Sequence, residues 1–148
     1  TAGRILRVRE AIREEDFILS YGDCISDIDV SKLVQTHNQN RAAVTMAVAR
    51  PTGRLASLNI DSEGRLNFPC RGNGVSWSNA CNMVLRQQAF DYIYENDRFE
   101  IETIERMAAD GLVSTYEHSG LWMPVETMRD KEYLEELWNS RKYFLRQE

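Results

Sequence analysis

The chain contains the stretch Phe17-Ile18-Leu19-Ser20-Tyr21-Gly22-Asp23, in which a short apolar run leads into a glycine and a carboxylate. The run predicts a buried strand of a parallel sheet, ending in a turn at Gly22. Because open α/β sheets bind ligands just beyond the carboxyl ends of such strands, Asp23 is expected beside a cleft. A carboxylate there suits Mg²⁺, which can hold phosphates. The alternative is that Asp23 only caps the following turn or helix.

Length and composition are those of one globular domain, with 148 residues, 17.1 kDa and 43% hydrophobic residues. The net charge of -5 argues against non-specific binding to nucleic acid and against an anionic membrane surface. That net charge is still compatible with the binding of a nucleotide. No membrane span or signal peptide is evident, and three cysteines without close pairing favour a reducing cytoplasm. Thr1 leads directly into a helical pattern, so the N-terminal part of a larger domain is expected to be absent.

Predicted helices and strands alternate along the rest of the chain. Helices are expected over Gly3 to Glu15, from a cap at Asp29 or Ser31 to about Asn40, over Gln87 to Ile93, and over Phe99 to Ala109 with Gly111 as its stop. A last amphipathic helix is expected over Thr127 to Arg141, and its apolar side carries Met128, Tyr133, Leu134, Leu137 and Trp138. Strands are expected over Ala42 to Ala49, Trp77 to Leu85 and Leu112 to Glu117, and in a hairpin of Leu55 to Ile60 with Arg65 to Phe68. Arg50 to Arg54 is predicted as a turn and Pro69 to Ser76 as a loop. This alternation predicts an α/β fold with a mixed sheet.

Several further polar residues are candidates for metal binding, helix capping or phosphate binding. Glu126 follows an apolar run and either begins the C-terminal helix or supplies a second metal carboxylate beside Asp23. Asp27 and Asp29 are interpreted as a helix-start device rather than as metal ligands. Arg71, in a loop with two glycines, could hold a phosphate.

Three cysteines and two histidines complete the candidate groups. Cys24, Cys70 and Cys81 lie at or beside predicted strand ends, where they are either separate thiols or a convergent thiolate site of the kind that suits zinc. His37 and His118 fall on predicted helix and strand faces and receive no catalytic role.

Several stretches resemble the glucose-1-phosphate cytidylyltransferases, in order and with nearly matching spacing across the chain. The matches are Thr1 to Arg9 with "TGGRIKRVR", Tyr21 to Asp29 with "YGDGVADID", Arg50 to Arg54 with "RPPGRFG", Gly120 to Lys131 with "GFWQPMDTLRDK", and Tyr133 to Trp138 with "YLEELW". The resemblance implies a Rossmann-like nucleotide-diphospho-sugar transferase fold, here a single, incomplete and N-terminally truncated domain over residues 1–148. It also implies a reaction in which CTP and glucose 1-phosphate give CDP-glucose and pyrophosphate, with Mg²⁺ as cofactor.

The resemblance also assigns roles to individual residues. Asp23 matches the first metal aspartate, and Glu126 stands where the family has the second. Arg71 falls where the family has the lysine of "FQEKP", a contact to the sugar phosphate. The residues expected to bind substrate are Thr1 and Gly3, in the segment that meets the nucleotide base, Gly22 beside the metal aspartate, and Asn79, the asparagine of "WINGG" near the sugar.

The departures from the family pattern support a second hypothesis. The Gly-rich "GGxGTR" loop and its downstream lysine, which grip the triphosphate, are not in this chain. Family glycines become Ala2, Cys24, Ala56 and Ala80, so that added Cβ atoms crowd the cleft. Cys70 replaces the "EKP" glutamate. The alternatives are therefore part of a Mg²⁺-dependent cytidylyltransferase, or a catalytically inactive homologue acting as a binding or oligomerisation module. An open sheet edge also predicts self-association into a homo-oligomer.

Overall fold

A computed structural model describes residues 1–50, 59–60, 64, 66–67 and 77–140. The helices are α1 (Ala2–Arg7), α2 (Val30–Asn38), α3 (Ile104–Ala109) and α4 (Met128–Asn139). The strands are β1 (Asp16–Ser20), β2 (Cys24–Ser26), β3 (Val44–Ala49), β4 (Asn59–Ile60), β5 (Leu66–Asn67), β6 (Ser78–Arg86), β7 (Val113–His118) and β8 (Trp122–Pro124). The predicted turn beyond Arg50 and the predicted loop from Pro69 to Ser76 lie outside the described residues. The α/β class with a mixed sheet is confirmed.

The central sheet has the order β1-β6-β3-β7, and its core strand is β3. Every residue of β3 is buried, as the apolar run predicts, because helices and loops cover both faces of the sheet. β7 pairs with β3 in parallel, whereas β6 runs antiparallel to both of its neighbours. Since β1 and β3 are both antiparallel to β6, the strands β1, β3 and β7 point the same way and end at one edge.

The prediction of a buried parallel strand at Phe17 is wrong in two respects. β1 is an edge strand, it pairs only with the antiparallel β6 among the described strands, and Ile18 is 48% exposed. An edge strand leaves the backbone N–H and C=O groups of one edge unpaired and some of its side chains in water, and an apolar run alone does not reveal this. The direction of β1 nevertheless places Asp23 beyond the edge at which β3 and β7 also end.

Two short strands were not predicted. β2 and β8 pair antiparallel in a two-stranded ribbon, in which Cys24 faces Pro124 and Ser26 faces Trp122. Strands of three residues are too short for a period of two to be recognised in sequence. This ribbon follows the turn that contains Asp23.

The first helix is shorter than the periodicity predicts. α1 ends at Arg7, and a turn of 3-10 helix covers Arg9–Ala11, where the prediction extends the helix to Glu15. Val8 is 47% exposed, but Ile12 still packs against the core after both helical segments have ended. The apolar spacing therefore continues beyond the helix, which is why it overstates the length of α1.

Local signals place the other helices well. Asp29 caps α2 by accepting the Lys32 amide at 3.1 Å, as predicted. A turn of π-helix over Phe99–Thr103 precedes α3, and Gly111 with φ 70° ends it. The Gly111 and Leu112 amides bond the Ala108 and Met107 carbonyls at 3.0 and 2.8 Å, a Schellman arrangement.

The remaining predicted elements are also found, with one correction. Gln87–Tyr92 forms 3-10 helix, and β4 and β5 pair as the predicted hairpin. Thr127 and Asp130 form a capping box at the start of α4. The apolar side of α4 is only partly covered, since Leu134 is buried whereas Met128 is 66% exposed. None of the helices in the described part of the chain has the length and apolar character needed to cross a membrane.

A buried polar network ties α2 to the sheet. His37 Nδ1 lies 2.8 Å from the Thr45 hydroxyl, and its Nε2 lies 3.6 Å from an Asp16 oxygen. Arg86 donates to the carbonyls of Ala42, His37 and Asn40 at the end of α2. Burial and the Arg86 charge lower the pKa of His37, against the opposing effect of Asp16. These contacts make His37 part of the packing between α2 and the sheet.

Candidate functional site

The two predicted metal carboxylates are brought to one place by the β2–β8 ribbon. Asp23 lies in the turn between β1 and β2, and its carbonyl accepts the Val125 amide at 2.8 Å. That bond continues the ribbon ladder by one pair beyond Cys24 and Pro124. Glu126 follows Val125 directly, so both carboxylates leave the same end of the ribbon.

Both carboxylates are exposed, and neither hydrogen-bonds or ion-pairs with another described residue. Asp130 accepts the Glu126 backbone amide at 3.1 Å, which fixes the backbone of Glu126 while leaving its side chain open. Hard oxygen donors of this kind suit Mg²⁺, which takes one or two carboxylates and completes its shell with water and phosphate oxygens. The donor chemistry therefore fits the metal. No cluster of three or more acidic, histidine or cysteine ligands occurs within the described ranges.

Two cysteine thiols lie against this turn. The Cys24 thiol donates to the Tyr21 carbonyl at 3.9 Å, and the Cys81 thiol and the indole of Trp122 lie close to it. Burial raises the pKa of Cys24 and, together with the neighbouring Cys24 thiol, raises the pKa of Cys81 to about 12. Both are thus neutral thiols at pH 7. Cys70 lies outside the described residues, so the three-thiolate hypothesis stays a prediction.

Cys81 has a conformation that its sequence neighbours do not predict. Its φ is 66°, in the left-handed region that glycine adopts freely. It lies in a β-bulge, because Met46 pairs with Met83 but Val48 already pairs with Asn79. Asn79 stabilises the bulge by accepting the Cys81 amide at 2.9 Å. The carboxamide oxygen of Asn79 therefore already accepts one hydrogen bond inside the protein.

Removing the Cβ at position 81 is expected to relieve this strain. Cys81→Gly should unfold with a free energy about 1 kcal/mol higher than Cys81→Ala, since a left-handed residue that carries a Cβ costs about that much. Both variants lack the thiol, so their difference isolates the backbone. Urea unfolding monitored by circular dichroism measures it, and an alanine variant as stable as the glycine variant would contradict the strain.

A second network joins the N-terminal segment to the end of β1. The Tyr21 hydroxyl donates to one Glu100 oxygen, and the Thr1 hydroxyl donates to the other at 2.7 Å. Burial raises the pKa of Glu100, but the hydrogen bonds from Tyr21 and Thr1 outweigh it, so that the pKa is lowered overall. Burial and the bond to Glu100 raise the pKa of Tyr21. Glu100 was missed from sequence because it lies within a helical pattern and has no local signal.

The predicted substrate-binding residues have different surroundings. Thr1 is exposed, but its hydroxyl is held by Glu100 and the Phe99 amide. Gly3 packs so closely that a Cβ there would lie 2.8 Å from the Glu95 carbonyl oxygen. Gly22 has open space around it, with nothing within 4 Å of a Cβ. Arg71 lies outside the described residues.

The helix-start interpretation of Asp27 is wrong. Asp29 alone caps α2, whereas Asp27 Oδ1 lies 2.9 Å from His118 Nε2. The partners are far apart in sequence, so no local pattern could reveal the pair. Asp27 directly follows β2, at the base of the ribbon, which is the end opposite to Asp23 and Glu126. The Asp27–His118 pair is therefore part of the framework that carries the site.

Comparison with known proteins supports the resemblance found in the sequence. The chain is 33% identical over 146 residues to a glucose-1-phosphate cytidylyltransferase of Salmonella typhi, matching 96% of this chain and 56% of that protein. A probable glucose-1-phosphate cytidylyltransferase of Bacillus subtilis is 29% identical over 141 residues, 94% of this chain and 56% of that protein. The chain thus spans about half the length of these relatives. No protein-family model matches it.

Solved structures share the fold. HddC from Yersinia pseudotuberculosis superposes with a TM-score of 0.77 at 18% identity, covering 93% of this chain and 62% of that one. A putative glucose-1-phosphate thymidylyltransferase from Bacillus anthracis gives a TM-score of 0.75 at 16% identity, covering 93% and 60%. The fold is therefore the Rossmann-like fold of nucleotidyltransferases, and by sequence the chain is a relative of the glucose-1-phosphate cytidylyltransferases.

Proposed function

We propose that this chain carries the divalent-metal part of a cytidylyltransferase site that joins CTP and glucose 1-phosphate into CDP-glucose. The observation that supports it is the bond between Asp23 and Val125, which brings Asp23 and Glu126 to one end of the ribbon. This end lies beyond the edge at which β1, β3 and β7 finish, where α/β sheets bind ligands. Two hard carboxylates from separate segments are a usual arrangement for holding Mg²⁺ on phosphates.

The reaction needs little covalent chemistry from the protein. An oxygen of glucose 1-phosphate attacks the α-phosphorus of CTP, the bond to the β-phosphate breaks, and pyrophosphate leaves. Asp23 and Glu126 would hold Mg²⁺, which when bound neutralises charge on the phosphates. The ribbon keeps the backbones of Asp23 and Glu126 close together before substrate arrives. Arg71 is proposed to contact the sugar phosphate, and Thr1, Gly3, Gly22 and Asn79 to lie along the substrates.

The second candidate is a catalytically inactive homologue that acts as a binding or oligomerisation module. The thiols of Cys24 and Cys81 favour it, because both are neutral and lie against the turn that should receive phosphates. The exposed Met128 and Tyr133 of α4 are apolar surface of the kind that self-association covers. The free thiols also support a reducing compartment, which we propose is the cytoplasm.

Calorimetric titration with CTP separates these two functions. We expect the chain to bind CTP more tightly with Mg²⁺ than without it, and Asp23→Asn to weaken the Mg²⁺-dependent binding at least about tenfold by removing an anionic ligand. Glu132→Gln is the matched control, since Glu132 is an exposed carboxylate on α4. It should bind as the unmodified chain does.

Folding of each variant is checked by circular dichroism before titration. A folded chain that does not bind CTP with Mg²⁺ would contradict the transferase proposal and favour the inactive homologue. Equal Mg²⁺-dependent binding by Asp23→Asn would contradict the assignment of the metal to Asp23.

A further inference from the structure

A histidine and an aspartate form a close pair at the base of the ribbon. His118 is the last residue of β7, and its side chain is 8% exposed. Its Nε2 lies 2.9 Å from Asp27 Oδ1 and 3.1 Å from the Leu121 carbonyl oxygen. Both of these oxygens can only accept, so Nε2 carries the hydrogen and donates to them. The partners thus fix the tautomer and orientation of the ring.

The pair joins the end of β2 to the short turn between β7 and β8. Asp27 follows the last residue of β2, Leu121 precedes the first residue of β8, and His118 ends β7. The Asp27 amide also donates to the Leu121 carbonyl at 3.0 Å. Both strands of the ribbon are thereby attached at their base to a strand of the central sheet.

The path of the chain is shaped around this contact. A Cβ on Gly120 would lie 2.3 Å from Asp27 Oδ1 and 2.8 Å from His118 Cε1. No side chain fits there while the pair is intact. Glycine at this position therefore allows the backbone to pass directly against the paired side chains.

The ribbon needs such an attachment. It has three paired positions, extended by one hydrogen bond at each end, from the Val125 amide to Asp23 and from the Asp27 amide to Leu121. Two-stranded ribbons are at best marginally stable on their own. Its far end carries Asp23 and Glu126, so any movement at the base changes the relation between the two carboxylates.

We propose that His118 and Asp27 are positioning residues that hold the β2–β8 ribbon on the end of β7 and so set the geometry of the Asp23 and Glu126 carboxylates. The attachment itself rests on geometry alone. Its effect on Mg²⁺ and CTP rests on the proposed function.

Replacement of His118 tests the attachment. His118→Leu removes the donor and keeps the bulk, whereas His118→Gln places an amide N–H near the position of Nε2. We expect hydrogen exchange of the Val125 amide, which bonds Asp23, to become at least about tenfold faster in His118→Leu and to return towards the original rate in His118→Gln. Exchange of the Met46 amide in the core strand should stay unchanged. Asp27→Ala, a change at a more exposed position, should accelerate Val125 in the same way.

Binding measurements separate the two proposals. We expect Mg²⁺-dependent CTP binding to weaken at least about tenfold in His118→Leu, with recovery in His118→Gln. Faster Val125 exchange in a chain that never binds CTP would support the attachment while contradicting the proposed function. Val125 exchange that is unchanged in His118→Leu and Asp27→Ala, or that rises equally with Met46, would overturn the attachment. Faster exchange with undiminished CTP binding would overturn the positioning role.

Discussion

Arg86→Leu is expected to lower the free energy of unfolding by about 3 kcal/mol. Arg86 lies at the end of β6, and its side chain is 20% exposed. It donates to the Ala42 carbonyl, and at 3.1 and 3.2 Å to those of His37 and Asn40. Its Nε also lies 3.6 Å from Asp16 Oδ1. One guanidinium thus serves the end of α2, the start of β3 and the edge strand β1.

Leucine keeps the packing volume of Arg86 but none of its donors. Three carbonyls near the end of α2 then lose their partner, and Asp16 keeps a partly buried charge without the cation beside it. The positive charge of Arg86 also lies near the negative end of the α2 dipole, and leucine removes this favourable attraction. The substitution removes all of these contacts at once, because a single side chain supplies them.

Equilibrium urea unfolding of the intact chain and of two further variants measures this effect. Arg86→Lys keeps the charge but has a single ammonium, so it should lie between Arg86 and Arg86→Leu. Arg41→Leu is the matched control, because Arg41 is exposed and near the same loop. It should change stability by less than about 0.5 kcal/mol. A loss below 1 kcal/mol in Arg86→Leu would mean that water replaces the guanidinium.

Gly3→Ala is expected to lower the free energy of unfolding by about 2 kcal/mol. Alanine normally stabilises a helix by about 1 kcal/mol relative to glycine. In α1, however, the new Cβ would lie 2.8 Å from the Glu95 carbonyl oxygen, a backbone atom that cannot rotate away. The Ala2 amide also donates to the Asp97 carbonyl at 3.3 Å, so the helix cannot withdraw without breaking that bond.

Gly22→Ala is the control for this substitution. A Cβ on Gly22 would meet nothing within 4 Å, so its stability should stay within about 0.5 kcal/mol. Thermal unfolding of both variants measures the difference, and a Gly3→Ala chain at least as stable as the original would contradict the packing argument. Loss of CTP binding in a stable Gly22→Ala chain would separately support the contact with substrate that the family resemblance implies for Gly22.

Much of the fold follows from signals that lie within a few residues of each other. Asp29, Thr127 with Asp130, and Gly111 mark helix ends through contacts to amides and carbonyls of the same turn. The buried β3 is evident as an apolar run because both of its faces are covered. The length of α1 could not be predicted in this way, because Ile12 packs against the core from outside the helix and so continues the apolar pattern beyond Arg7.

The candidate site could be predicted only in part. Asp23 and Glu126 are recognisable because each follows an apolar run, and the family resemblance assigns them together. Their common position depends on the bond from Val125 to Asp23, between residues about a hundred positions apart. Glu100, which joins Tyr21 to Thr1, lies inside a helical pattern, where a carboxylate is usually only a solvent-exposed group.

The sequence by itself determined the fold class, the start of α2, the stop at Gly111, the buried central strand and the relationship to cytidylyltransferases, because each depends on neighbouring residues or on collinear motifs. Only the tertiary structure decided that β1 is an edge strand, that Cys81 lies in a left-handed bulge, and that Asp27 pairs with His118 rather than capping a helix. Those features depend on which strands become neighbours. Sheet neighbours are selected by long-range burial and hydrogen bonding, which leave no periodic trace in either partner's own sequence.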